Sequence, residues 1–338
     1  MHVSVATSLA IIIPTGWRPY IAKKSHKAVD FSIRKKWIIT TKVLAEGDLD
    51  KLINNFNDSL KKLKLNRINN LAIHGLNLDS HLEWALHGEG QRFINWVLEK
   101  GLVDQIGFSS HGSYELINKA INSNRFSFCS LHLHLLDQSK ISLAHKALEK
   151  NMGVLAISPA DKGGRLYQPS NILLEASKPF LPLEIAYRFL ITNGITTLSL
   201  GANKTEDFQL AKKLATATYP LTELEKKTIY NIARVAKNNL NSKMCEQCRA
   251  CLPCPNEIPI PEILRLRNIA LGYGQDQFAK ERYNLIGRAG HWWETKNGNN
   301  CQSCKICLPK CPNNLDIPSL LKETHNILKD SPKKRLWG

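Results

Sequence analysis

Eight of the nine cysteines lie in two short runs near the end of the chain, and thiolates at these intervals can bind metal. The second run has the spacing C-x2-C-x2-C-x3-C-P, and the first run is one residue shorter before its last cysteine. In this pattern three neighbouring thiolates bind one [4Fe–4S] cluster, and the fourth usually serves a second cluster. The spacing therefore predicts two [4Fe–4S] clusters with the ligands Cys245, Cys248, Cys251, Cys254, Cys301, Cys304, Cys307 and Cys311.

Zinc sites and disulfides are the alternatives for these cysteines. Zinc takes four ligands, commonly as two distant pairs, and would leave a spare thiolate in each run. Disulfides belong to oxidising compartments and to small domains that lack a sufficient core. With 338 residues, of which 43% are hydrophobic, this chain has the material for a large core. Iron–sulfur clusters are therefore favoured over both alternatives.

The chain carries 46 basic and 29 acidic residues, which gives a formal net charge of +17 with the cysteines counted as neutral thiols. Thiolates around two clusters would lower this charge. The basic residues are spread along the chain without the motifs of nucleic-acid recognition. We therefore expect a solvated basic surface and no nucleic-acid partner. The alternative is that the charge attracts an acidic electron-transfer protein.

Membrane insertion is not expected, because no apolar run reaches the roughly 18 residues that span a bilayer. The apolar patch at residues 9–14 lacks the basic residues that precede it in a secretory signal. The sequence therefore predicts a cytoplasmic protein with no membrane contact.

From residue 37 onward, short apolar strands alternate with amphipathic helical segments in six β/α units. This alternation predicts a parallel sheet covered by helices, either open and doubly wound or most of a (β/α)8 barrel. No G-x-G-x-x-G motif follows the first strand, which disfavours the open dinucleotide-binding fold. The predicted strands are 37–43, 71–74, 103–108, 126–133, 153–157 and 196–200, and the predicted helices are 48–63, 91–100, 113–122, 141–151, 183–192 and 205–216.

Further helices are predicted at 221–240, where Thr222 and Glu225 form a capping box, and at 258–270 and 317–328. Each cysteine run therefore leads into a helix, which predicts a mainly helical cluster-binding module. Cys129 is expected to be a small core residue. His132 and His134 share one strand, and metal binding there is not expected without a carboxylate partner.

Several sequence motifs occur together along the chain: TTK at 40–42, IHG at 73–75, IGFSSHG at 106–112, ISPADKGGRLYQPS at 157–170 and LSLGANKTED at 198–207. With the two cysteine runs, they resemble the aldo/keto reductase family, in its branch with a C-terminal ferredoxin-like dicluster domain. The resemblance covers residues 37–324 and implies an α/β fold of the (β/α)8 TIM-barrel type that binds NAD(P)H. It implies an atypical N-terminal segment at 1–30, an incomplete barrel at 31–220 and an iron–sulfur domain at 221–338.

The resemblance implies that Lys42 and His74 are catalytic, because each ends a predicted strand where barrel enzymes build active sites. A lysine ammonium can lower the pKa of a nearby phenol, and an imidazole can hydrogen-bond to a carbonyl that accepts hydride. The alternatives are a surface lysine and a scaffold histidine. The family's Asp and Tyr have no counterpart before Lys42, since Tyr20 lies in an unsuitable context. The first two barrel strands are therefore expected to be missing.

The resemblance also implies contacts with the cofactor. Ser109 and Ser110 occupy the Ser-Asn site for the nicotinamide amide, and Ser130 replaces the usual glutamine. One loop would wrap the pyrophosphate, and a cation in a second loop could pair with a 2′-phosphate, which favours NADP(H) over NAD(H). The loop residues are Ser158, Pro159, Ala160, Gly163 and Gly164 in the first loop and Gly201, Lys204 and Asp207 in the second.

Two functions follow from the sequence. The first is an iron–sulfur oxidoreductase that uses NAD(P)H to reduce a small-molecule carbonyl or to exchange electrons with the clusters and an electron-transfer protein. The second is a non-catalytic electron carrier or cluster-bearing interaction protein with a vestigial barrel, and the missing Asp and Tyr favour it.

Overall fold

The computed structural model describes residues 10–14, 38–160, 164–199, 206, 208–215, 217, 219–288 and 295–330, with the backbone alone for 10–14. It divides into two compact units, each made of several stretches of the chain. The first unit comprises Met1–His132, Lys140–Ile157 and Asn193–Thr218, and the second comprises Leu133–Ser139, Ser158–Thr192 and Tyr219–Gly338.

The first unit contains a seven-stranded sheet in which every strand pairs in parallel with the next strand of the chain. This is the strand order of a (β/α)8 barrel, which is incomplete within the described residues. Continuous apolar strands covered by helices are typical of such buried parallel sheets. The strands are β1 (Ala10–Pro14), β2 (Ile38–Leu44), β3 (Asn70–His74), β4 (Gln105–Ser110), β5 (Phe128–His132), β6 (Gly153–Ile157) and β7 (Thr197–Leu198).

Twelve α-helices lie in the described part of the chain, and a π-helical turn, Asn268–Gly272, extends the tenth. The first five and the eighth belong to the first unit, and the others belong to the second. The helices are α1 (Leu49–Leu63), α2 (Asp79–His87), α3 (Glu89–Glu99), α4 (Tyr114–Asn122), α5 (Ile141–Glu149), α6 (Asn171–Ser177), α7 (Pro182–Thr192), α8 (Phe208–Ala215), α9 (Glu223–Leu240), α10 (Ile260–Arg267), α11 (Asp276–Tyr283) and α12 (Ile317–Leu328).

The six predicted strands correspond to β2–β7, but the expectation that no strand precedes them is wrong. Ala10–Pro14 forms β1 and pairs in parallel with β2. The sequence of β1, AIIIP, is a short unbroken apolar run. Such a run has no alternation of polar and apolar residues, so its pattern did not stand out. Most of the atypical segment 1–30, and Leu200 at the end of a predicted strand, lie outside the described residues.

Three helices, α2, α6 and α11, were not predicted. Helix α2 ends one residue before Gly88 and buries only Leu82 and Ala85, so it has no long apolar stripe. Helix α6 is only seven residues long and is N-capped by the Ser170 side chain. All three lie in segments that the sequence pattern left unassigned. The predicted helices 48–63, 91–100, 113–122, 141–151, 183–192 and 205–216 contain α1, α3, α4, α5, α7 and α8, or their larger part.

The cysteine-bearing part of the second unit is helical in its described residues, as the sequence predicted. Helices α10, α11 and α12 pack together around a buried core that includes Ile263, Phe278 and Leu321. Cys251 and Cys307 belong to the same core. The two cysteine runs are therefore held by helix packing and not by a sheet.

A buried ion pair links α7 to α9 within the second unit. The Arg188 Nε lies 2.6 Å from Glu225 Oε1, and their side chains are only 3% and 6% exposed. Glu225 also accepts a hydrogen bond from the Thr222 backbone N–H, which completes the predicted capping box. The Arg188 hydrogen bond, followed by those from Thr222, lowers the pKa of the Glu225 carboxyl.

Among the described helices, none combines the length and apolar character needed to cross a membrane.

Arg188→Met should destabilise the protein by about 3–5 kcal/mol at pH 7, because it leaves a carboxylate buried without its cation. Urea denaturation would measure this change. Lys226→Met, which removes the exposed Lys226–Glu223 pair, should cost less than about 1 kcal/mol. Since the pKa of Glu225 is lowered on folding, its contribution should be present above about pH 4.5 and be lost in stronger acid. Equal losses in the two variants would contradict this account.

Candidate functional site

The parallel register places four predicted site residues on one face of the sheet. Paired residues in a parallel sheet point to the same face, and so do residues two apart on a strand. Lys42 pairs with Ala72, and two residues further along the strands Leu44 pairs with His74. The predicted site residues Lys42, His74, Ser109 and Ser130 therefore share one face, near the carboxyl ends of β2–β5.

Lys42 is buried in a layer of small residues around one aromatic ring. Its partners in successive strands are Ala72, Gly107, Phe128 and Gly153. A Cβ on Gly107 would lie 2.5 Å from the Phe128 ring, so the ring occupies the place of the missing side chain. Lys42 is 6% exposed, and loss of hydration lowers the pKa of its ammonium to about 8. A pKa near 8 suits a group that transfers a proton near neutral pH.

The three serines of the predicted nicotinamide site have different surroundings. The Ser109 hydroxyl accepts a hydrogen bond from the Gly75 N–H at 3.2 Å, and the Ser110 hydroxyl donates to the Leu76 carbonyl at 2.6 Å. These bonds tie the turn after β3 to β4. The Ser130 hydroxyl is 1% exposed and has no partner within the described residues. Of the three serines, Ser130 is therefore the one whose hydroxyl is available to bind a ligand.

A pair of histidines lies beyond these serines, and the sequence analysis missed it. Ser110 pairs with Leu131, so the next positions in this register are His111 and His132. Their Nε2 atoms are 3.1 Å apart and their ring centroids 4.2 Å apart. The signal was present in the sequence, since His111 lies three residues after the predicted strand 103–108 and His132 is the second-last residue of the predicted strand 126–133.

In the second unit, Ser158, Pro159 and Ala160 directly follow β6 in the chain. The Ala160 carbonyl accepts a hydrogen bond from the Leu166 N–H, and the Gly164 carbonyl lies 3.1 Å from His134 Nε2. Ser158 and Gly164 have φ angles of 51° and 129°, and the latter favours glycine. Contacts at the Ala160 and Gly164 carbonyls therefore hold the two ends of this predicted loop in place. The predicted cofactor residues Gly163, Gly201, Lys204 and Asp207 lie outside the described residues.

Five cysteines from both runs line one cavity in the second unit. All eight cysteines of the runs are free, as is Cys129, which is fully buried in β5 as expected. Burial raises the pKa of the Cys129 thiol to about 12, so this thiol is unreactive. The cysteines that line the cavity are Cys251, Cys254, Cys301, Cys304 and Cys307.

The last cysteine of the first run lies beside the first three cysteines of the second run. Burial is the main cause that raises the pKa of the Cys307 thiol, and the neighbouring sulfurs of Cys301, Cys304 and Cys254 raise it further. Only nearby groups exert such an effect. Cys254 therefore completes a group of four with a triplet that lies in the other run.

The reciprocal arrangement holds for the last cysteine of the second run. Burial raises the pKa of the Cys245 thiol to about 11, and the sulfurs of Cys248 and Cys311 add to the rise. The pKa of Cys251 is raised to about 12 by burial, with Cys245, Cys248 and Cys307 as further causes. Cys311 therefore lies near Cys245 of the first triplet, and Cys307 lies near Cys251.

The two runs fold as a structural repeat. Gln247 and Arg249 flank the second cysteine of the first run with φ angles of 62° and 65°, and Ser303 and Lys305 do so in the second with 54° and 62°. Each run then enters a helix that has a proline in its first turn. Left-handed residues among right-handed ones form concave arrays of backbone N–H groups that bind anions, including iron–sulfur clusters.

Within the described residues, no three or more His, Cys, Asp or Glu side chains surround one point that could hold a single metal ion. The described thiols are therefore not arranged as a ready-made site for one metal ion.

Residues 21–171 match the sequence model of the aldo/keto reductase family. Solved structures with this fold include an aldo-keto reductase from a Medee basin deep-sea metagenome library, at 20% identity and a TM-score of 0.53 over 67% of this chain and 81% of that one. The sheet-bearing part of the chain therefore has the fold of an aldo/keto reductase barrel.

Two further structures have the same fold. The Bacillus halodurans aldo-keto reductase matches at 18% identity and a TM-score of 0.52, over 65% of this chain and 80% of that one. The Bombyx mori enzyme, solved in complex with NADP, matches at 18% identity and a TM-score of 0.51, over 67% and 78%. No curated protein matches the sequence.

Lys42→Met should stabilise the protein at pH 7 by up to roughly 3 kcal/mol, because it removes a cation from a dehydrated position. The pKa of Lys42 is lowered from 10.5 to about 8 on folding, so this cost is fully present below pH 8. It disappears as the pH rises from 8 to 10.5, where the unfolded chain also loses the proton. Urea denaturation would measure the free energy of unfolding of Lys42→Met and of the unsubstituted protein at pH 7 and pH 10, and the difference between them should be smaller at pH 10. The exposed Lys51→Met control should show no such trend.

Proposed function

We propose that the chain is an NAD(P)H-linked oxidoreductase that carries two [4Fe–4S] clusters in its second unit. The observation that carries this proposal is the exchange of fourth cysteines between the two runs. Such an exchange is the usual ligand pattern of two-cluster proteins with this cysteine spacing. The proposed ligand sets are Cys245, Cys248, Cys251 and Cys311 for the first cluster, and Cys301, Cys304, Cys307 and Cys254 for the second.

Two further observations support this metal assignment. The left-handed residues beside Cys248 and Cys304 suit an anionic group. Apolar side chains of α10 and α12 belong to the core that contains Cys251 and Cys307 and that packs against Cys245, Cys254, Cys301 and Cys311. When bound, each cluster would accept and release one electron at a time.

The barrel would contribute the binding and proton chemistry of a nicotinamide cofactor. Two proteins with this fold were solved with NADP or NADPH, which supports NADP(H) as the cofactor here. A bound nicotinamide would supply hydride to a small-molecule carbonyl. Lys42 would hold a proton at Nζ and release it readily, since its pKa is about 8. His74 would orient the carbonyl oxygen by a hydrogen bond, and Ser130 would offer its hydroxyl to the ligand.

A second function, an electron carrier with a vestigial barrel, is favoured by one observation. The residue opposite Lys42 in β1 is Pro14, which has no acid group. An electron-transfer protein would then be the partner, with no carbonyl substrate.

The two functions differ in their response to NADPH. After anaerobic reconstitution, NADPH should bleach the visible cluster absorption, because its two electrons reduce two clusters by one electron each and release one proton. Bleaching supports the oxidoreductase. If NADPH binds without bleaching the clusters, the oxidoreductase would use NADPH for carbonyl reduction only. Turnover of an aldehyde substrate would test that activity. If NADPH does not bind at all, the oxidoreductase proposal fails and the electron carrier stands.

The exchanged ligands predict which cluster each cysteine variant loses. Cys254→Ala should abolish the same electron paramagnetic resonance (EPR) signal as Cys304→Ala, although Cys254 belongs to the first run. Cys311→Ala should abolish the other signal, together with Cys248→Ala. Cys129→Ala is the matched control and should keep the full iron and sulfide content. If Cys254→Ala behaves like Cys248→Ala instead, each run binds its own cluster.

A further inference from the structure

The repeat allows the two cluster sites to be compared position by position. Gln247 and Ser303 each precede the second cysteine of their run, and both have left-handed backbone conformations. The backbone thus presents the two side chains from equivalent places. The sites differ here in chemistry, because a glutamine amide reaches further than a serine hydroxyl and carries two N–H donors.

The Gln247 amide contacts the first cysteine of its run. Its Nε2 donates a hydrogen bond to the Cys245 sulfur over 3.3 Å. Asn268 holds the backbone of the same cysteine, since its Nδ2 donates to the Cys245 carbonyl at 2.7 Å and its Oδ1 accepts from the Cys245 N–H. The Cys245 sulfur is therefore fixed in position beside an N–H donor.

The second site has fewer donors at the equivalent place. Ser303 is exposed, and its hydroxyl makes no hydrogen bond with the described residues. The cavity beside Cys301 is lined by Pro253, Pro255 and Pro318, which have no N–H to donate. Ile258 and Leu321 add apolar surface there, and Asn256 and Lys305 also line this cavity. Lys305 follows the second cysteine of its run as Arg249 does in the first run, so both sites have a cation at this place and the Gln247 amide is the difference between them.

We propose that the two clusters have different reduction potentials, and that the Gln247 amide makes the cluster bound by Cys245 the more easily reduced. This inference rests on the proposed function, because it requires both clusters. Reduction adds one electron and so increases the negative charge on the thiolate sulfurs. An N–H donor stabilises that charge, and hydrogen bonds to the sulfurs are known to set cluster potentials. Electrons would therefore collect at the first cluster, and the second would relay them.

The test is a dye-mediated redox titration of the anaerobically reconstituted full chain, reduced with dithionite and followed by EPR. We expect two midpoint potentials in the unsubstituted protein. Gln247→Leu should lower the higher midpoint potential by ~59 mV, which for one electron is about a ten-fold change in the ratio of reduced to oxidised cluster. The lower midpoint potential should not change. The matched control Ser303→Leu should change neither. Ser303→Gln, which adds a donor, should raise the lower one.

Each result decides the question. A single midpoint for both clusters, or equal effects of Gln247→Leu and Ser303→Leu, would overturn the inference even when iron and sulfide show two full clusters. If Gln247→Leu fails to assemble, the gain expected in Ser303→Gln remains a test of the same interaction. Absence of cluster iron in the unsubstituted protein would overturn the iron–sulfur assignment itself, and this inference with it.

Discussion

The second unit depends on one constraint: the last cysteine of each run must lie beside cysteines of the other run. Cys254 lies with the second triplet and Cys311 with the first, so each group of four is complete only when both runs are in place. Residues 255–300 separate the runs, and closing so long a connection costs chain entropy. Helices α10 and α11 lie in this stretch and pack with α12, which shortens the distance that the open chain would have to close. The thiol arrangement and the helical core are thus parts of one structure.

In the first unit, the register of the parallel strands brings the predicted site residues together. Residues distant in sequence reach one face because each strand pairs with the next at a fixed offset. The same register puts Lys42 into a layer where Ala72 and Gly107 supply almost no side chain and Phe128 supplies a ring. The dehydration that lowers the pKa of Lys42 is therefore a property of the layer and not of one neighbour.

Much of this architecture could be predicted from sequence, because alternating apolar strands and amphipathic helices carry strong periodic signals. Six strands, the capping box at Thr222 and the helices after each cysteine run were predicted from such signals. Strand β1 was not, since four apolar residues before a proline have no distinguishing period. The exchange of Cys254 and Cys311 was expected from spacing alone, whereas the Gln247 contact depends on a left-handed backbone that spacing does not reveal. The His111–His132 pair likewise depends on register.

The Phe128 ring over Gly107 sets the depth to which any molecule could enter this face of the sheet. The ring lies one layer below Ser109 and Ser130, and it takes the space that a side chain at position 107 would need. A ligand would therefore rest against the serine layer and would not pass deeper into the sheet. A side chain larger than hydrogen at position 107 would meet the Phe128 backbone oxygen as closely as the ring, so the pairing of β4 with β5 would have to shift together with the ring.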